Sequence, residues 1–187
     1  MKKIPKVKYL TLIVLGIFCF TYPLFSKNKE VHMNKLVVSS PAFKNGEFIP
    51  SKYTCDGENI SPEIRIEGIP SNTMSLVLIN DDPDAPMGTW DHWILFNIPP
   101  TMNIIPEGIK PEKEFSNGMK HGINSWGRVG YGGPCPPSGI HRYFFKVYAL
   151  DTTLNLPAGA TKQQILKAIQ GHILAEGELM GKYSRKR

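Results

Sequence analysis

The sequence predicts a mainly β domain, a sandwich or barrel carrying one or two late helices. Three observations carry that expectation. Short runs rich in β-branched and aromatic residues recur from Lys35 onward, proline and glycine clusters punctuate them, and a single late stretch switches to helical spacing. A chain of 187 residues suits one domain with a substantial core rather than two. It holds no internal repeat and no low-complexity segment.

The first element is not part of the domain. "MKKIPKVKYLTLIVLGIFCFTYPLFSKNKE" has four lysines, an uncharged run from Tyr9 to Ser26, and lysines again. Residues 1–26 therefore read as an export signal, which places the protein in a periplasm or outside the cell. The alternative is an uncleaved N-terminal anchor, since the uncharged run approaches the length of a membrane span. The domain is placed at 33–187. Taking away the four lysines of residues 1–26 lowers the formal charge from +6 to +2. With no basic run except the terminal "RKR", the domain lacks the clustered stripe that nucleic-acid binding requires.

Five stretches then read as strands: "KLVVSS", "EIRIEG", "SLVLIND", "WDHWILFNI" and "HRYFFKVYAL", each bounded by Pro, Gly, Asn or Asp. "ATKQQILKAIQG" is the helix. Thr161 is its N-cap, Gln164 completes a capping box, Ile165, Leu166 and Ile169 form the apolar stripe, and Gly171 stops it. The tripeptide Asn59-Ile60-Ser61 fits a glycosylation acceptor, but Pro62 favours a turn.

Two cysteines lie in the domain, Cys55 in "YTCDGEN" and Cys135 in "GGPCPPSG". In an oxidising compartment they form one disulfide; the alternative is two free thiols. Neither has His or Cys partners at zinc-site spacing, so no metal and no cofactor are expected.

Candidate chemistry gathers where strands meet stiff loops. In "SLVLINDDPDAP" an apolar run ends in Asp81, Asp82 and Asp84 around Pro83, acids expected at the strand mouth rather than inside it. Taken alone they read as a turn in which carboxylates bond to backbone. Strict alternation puts His92 on one face with Trp90, Ile94 and Phe96, and His141 on one face with Tyr143, Phe145 and Val147. Each histidine enters a hydrophobic strand beside a Pro/Gly-rich loop. A half-buried imidazole can donate to an oxyanion, a nearby carboxylate orients it, and glycine N–H groups approach an anion closely. The bland alternative is a pair of satisfied core histidines.

"DDPDAP" followed by "WDHW", then "YGGPCPPSGIHRYFFKVYALD", then "GHILAEGELMGKYSR" closely resembles the phosphatidylethanolamine-binding protein family, in its bacterial and archaeal Raf-kinase-inhibitor-like branch. The resemblance implies a large central antiparallel sheet packed against a smaller sheet, with helices near the C-terminus. It also implies a small pocket for anions such as phosphate, a carboxylate or a phospholipid head group. Asp82, His92 and His141 match the pocket's acid and histidines, and Gly133, Pro136 and Pro137 its glycine/proline wall. Asp84 and Arg142 match supporting positions, and Tyr183 a tyrosine that closes the pocket. The function expected is an exported, non-enzymatic binding protein that modulates a kinase or protease partner. The alternatives are a hydrolase using Asp82, His92 and His141, and a protease inhibitor acting through a surface loop. Against the hydrolase, no serine or cysteine has a recognisable nucleophile context.

Overall fold

The structure, a computed structural model, describes residues 34–185. The predicted export segment lies outside the described residues. Among the described residues, nine strands and one α-helix follow in order: β1 (Asn34–Lys35), β2 (Val37–Ser39), β3 (Ile64–Glu67), β4 (Ser75–Asp82), β5 (Trp90–Ile98), β6 (Ile104–Ile105), β7 (Lys120–His121), β8 (His141–Leu150), α1 (Lys162–Ala168) and β9 (Ile173–Tyr183). They form a six-stranded sheet in the order β1-β9-β8-β4-β5-β7 and a three-stranded sheet in the order β2-β3-β6. Neighbours are antiparallel throughout, except that the short β1 joins β9 in parallel at the edge.

The large sheet is covered on both faces, which explains why β4 is buried at every position. Leu76 and Leu78 pack toward the small sheet with Ile64, Ile66, Trp93, Tyr143 and Phe145. Val77 and Ile79 pack toward α1 with Ile94, Phe96, Ile165 and Ile169. The expected capping box closes the start of α1: Thr161 accepts from the Gln164 N–H while the Gln164 side chain accepts from the Thr161 N–H. Ile165 and Ile169 form the buried stripe, but Leu166 stays exposed. Asn59 adopts a left-handed backbone conformation at φ 59°.

Three readings of the sequence need correction. The longest strand, β9, lies in the stretch "ILAEGELMGKY", which alternation and β-propensity leave unmarked because Gly177, Gly181 and two glutamates interrupt it. Its glycines have a packing cause: a Cβ at Gly177 would run into the Leu36 backbone, and one at Gly181 into Ile49 and Phe43. The second correction concerns β4, which includes Asp81 and Asp82, both buried, at its end. The third concerns His92. Opposite Asn80 and Asp81 the partners in β5 are Trp93 and Asp91, so one extra residue bulges out of β5. The bulge breaks the alternation. Asp91 faces α1 and bonds Lys162, while His92 turns to the other face and packs against Tyr143, away from Ile94 and Phe96.

Candidate functional site

The ends of β4, β5 and β8 bring Asp82, His92 and His141 to a cavity of about 350 Å3. All three side chains are buried. Asp82 serves both roles weighed for it: Oδ1 accepts from the Asp84 N–H at 2.8 Å in a local turn, and Oδ2 accepts from His141 Nδ1 at 2.7 Å. That bond fixes the His141 proton on Nδ1 when the ring is neutral and leaves Nε2 for a ligand. His92 is held in the same manner, because its Nδ1 donates to the Gly132 carbonyl at 2.6 Å. Its ring lies edge-on to Tyr143 and Trp126, with centroids 5.2 and 5.0 Å away. Burial pushes the His92 imidazole below the usual histidine range, and the Gly132 bond and the nearby aspartates oppose this only in part.

The acidic neighbour Asp81 points to the opposite face. There it pairs with Lys146 at 3.1 Å and Lys162 at 2.6 Å, so it balances charge beneath α1 and has no part in the cavity. Asp84 takes three bonds from Arg142, from the backbone N–H, Nε and NH2, at 2.7 to 2.9 Å. That clamp lowers the Asp84 carboxyl to about 2. It ties the loop after β4 to the start of β8, on either side of the Asp82–His141 bond.

Pro136 and Pro137 line the cavity, as does Cys135. The loop behind them is pinned to residues 53–59: Tyr131 donates to the Tyr53 carbonyl, Gly133 N–H to Asn59 Oδ1 at 2.7 Å, and Cys55 N–H to the Pro134 carbonyl. Cys55 and Cys135 stand at disulfide distance, Cα atoms 5.4 Å apart. Two expected site residues lie elsewhere. Gly133 does not line the cavity; its N–H is taken by Asn59, and a Cβ there would collide with the Tyr53 carbonyl. Tyr183 pairs with His141 across β8 and β9, but it is buried in the core and its hydroxyl donates to Asp56 at 2.8 Å. It does not close this cavity.

Sequence reasoning also missed part of the lining. Pro86, Met87 and Trp126 contribute to it, Trp126 from a turn thirty-four residues beyond His92. A tryptophan in the glycine-flanked turn "NSWG" was the available signal, since so large a ring rarely stands in a tight turn without a partner. The third buried histidine among the described residues, His121, is a satisfied core residue. Its Nδ1 donates to the Glu112 carbonyl and its Nε2 accepts from Trp93.

A two-sheet β domain with two buried histidines at the mouths of β5 and β8, on either side of β4, one buttressed by Asp82 and the other by the Gly132 carbonyl, is the class this geometry defines. Residues 39–184 match the family described as phosphatidylethanolamine-binding protein, and the chain belongs to that family. A UPF0098 protein of Pyrococcus horikoshii is 50% identical over 190 aligned positions, covering 100% of this chain and 91% of its own length. One from Methanothermobacter thermautotrophicus is 51% identical over 144, covering 77% and 95%. Among solved structures, CT736 of Chlamydia trachomatis superposes with a TM-score of 0.76 at 42% identity, covering 82% of this chain and 99% of its own. YbcL of Escherichia coli, described as a member of the mammalian family, gives 0.74 at 30% identity, covering 81% and 99%. The fold is that of the family, whose members are generally ligand-binding proteins rather than enzymes.

Proposed function

We propose that this protein is an exported, non-enzymatic binding protein that holds a small anionic or phosphorylated ligand through His92 and His141. One observation carries the reading: both imidazoles line one cavity with Nδ1 already committed, to Gly132 and to Asp82, so each offers Nε2 to the same ligand. When protonated, the two rings present charged donors to the ligand, with His141 held in place by its bond to Asp82. The lining includes no serine, threonine or lysine, and its one cysteine faces Cys55 at disulfide distance. That favours binding over covalent hydrolysis.

Export is supported by the basic and then apolar pattern of residues 1–26. The mature chain then begins near Ser26–Val31, and N-terminal sequencing that recovers intact Met1 in a membrane fraction would replace export with anchoring. The loaded cavity is further proposed to modulate a protein partner, a kinase or a protease.

The test is calorimetric titration of inorganic phosphate into wild type and into the double variant His92→Ala, His141→Ala. Saturable binding in wild type, lost in a folded double variant, is the expected result. Equal binding in both would remove the cavity from the function. A protease inhibitor acting through a surface loop would show no link between inhibition and phosphate.

A further inference from the structure

An anion needs little of this cavity. Its volume of about 350 Å3 lies at the lower end of the roughly 300–1,000 Å3 of sites for organic molecules. At the ~30 Å3 that one water takes in the liquid it has room for roughly ten heavy atoms, twice the five of a phosphate ion. Apart from Asp82, His92 and His141, its lining is apolar or aromatic, with Pro86, Met87, Trp90 and Trp126 prominent.

Trp126 is the built part of that lining. Buried Asn124 organises its turn: Oδ1 accepts from the Trp126 and Arg128 N–H groups at 3.1 and 3.3 Å, and Nδ2 donates to the Gly130 carbonyl at 3.1 Å. The Ser125 N–H and hydroxyl tie the turn to both backbone groups of Asp91 in β5. The indole then meets His92 and Trp90 in edge-type contacts at 5.0 and 5.5 Å. Gly132 packs so closely beneath it that any Cβ there would strike the ring. Yet Trp126 remains 41% exposed, and Met87 beside the same cavity 89%. Two large apolar groups thus stand open to water in the lining they share with the histidines, and covering such surface is favourable.

We infer that the cavity selects organic anions in which the acidic group is carried directly on a flat apolar moiety, an aryl phosphate being the simplest, over the inorganic ion. Trp126 and Met87 set that preference by covering the apolar moiety while His92 and His141 hold the anionic oxygens. The inference rests on the anion-binding reading above and adds the class of ligand.

The experiment compares dissociation constants of phenyl phosphate and inorganic phosphate, at one pH below 6, for wild type, Trp126→Ala, Trp126→Phe and Met87→Ala. The expected wild-type preference for phenyl phosphate is about tenfold or more, the gain that burying one ring allows. In Trp126→Ala the preference should fall to about two- or threefold, Trp126→Phe should restore most of it, and Met87→Ala should reduce it less. Equal affinity for the two probes in wild type overturns this inference and leaves the anion site standing. So does an undiminished preference in a folded Trp126→Ala. Failure of wild type to bind either probe overturns the anion-site reading and this inference with it.

Discussion

Replacing both Cys55 and Cys135 by serine is expected to lower the free energy of unfolding by about 4.5 kcal/mol. The cysteines are 80 residues apart in sequence and stand at disulfide distance. Closing a loop of that length removes about 15 cal/mol/K of entropy from the unfolded chain, which at 25 °C is the stated ~4.5 kcal/mol. Against a typical total of about 5–15 kcal/mol the loss is large. The assay is urea unfolding followed by tryptophan fluorescence. With m of roughly 2 kcal/mol/M, the midpoint should fall by about 2 M, and reduction of the wild type should shift it equally. Because Cys135 also lines the cavity, phosphate affinity should weaken in the same variant as the wall loses its tie to residues 53–59. An unchanged midpoint, or two titratable thiols in denatured, unreduced protein taken from an oxidising compartment, would refute the reasoning.

Stability should also decline on mild acidification. Burial holds His92 and His121 below the ordinary histidine value of 6.5, so the unfolded chain binds protons first. Stability is then full above about pH 6.5 and falls toward the folded-state values, by up to about 1.4 kcal/mol per pH unit for each histidine. Urea unfolding at pH 7.5 and 5.5 in an anion-poor buffer reads this, and a flat profile would contradict it. Asp84→Asn should cost about 1 kcal/mol at neutral pH after solvent screening is allowed for. Because Arg142 lowers the Asp84 carboxyl from 3.8 to about 2, that contribution is present above pH 3.8 and lost toward pH 2; a variant as stable as wild type at pH 7 would argue against the clamp. Ile165→Ala empties the fully buried anchor of α1 and should cost about 2–5 kcal/mol, measurable as a lowered thermal midpoint.

The central strands were legible because their burial makes them β-branched and aromatic: "SLVLIND", "WDHWILFNI" and "HRYFFKVYAL" became β4, β5 and β8. The helix was legible because Thr161 and Gln164 mark its start locally. β9 was hidden because its glycines answer to Leu36, Phe43 and Ile49, residues more than 130 positions away in the chain. Such contacts leave no local trace. At the site, Asp82, His92 and His141 stood out where strands meet stiff loops, yet alternation misassigned the face of His92. A bulge is a property of the pairing between β4 and β5, which neither strand carries alone. Gly133 looked like an anion-facing glycine, but its missing side chain makes room for Tyr53 and Asn59. Tyr183 looked like a gate, but Asp56 holds its hydroxyl.

The most direct test of the anion site follows the His92 and His141 ring signals by NMR as inorganic phosphate is added, at pH 5.5 and 8, in wild type and His141→Ala. Binding that favours protonated rings takes up protons, so affinity should be strongest at the lower pH and weaken as pH rises toward the bound-state pKa values. Losing one hydrogen bond to a charged group, about 1.5–3 kcal/mol, should weaken His141→Ala by about 10- to 150-fold while its dispersed spectrum persists. Both rings shifting saturably in wild type, with that pH order and that loss, is the predicted result. Ring signals that stay still during the titration, or a folded His141→Ala that binds as tightly as wild type, would contradict it.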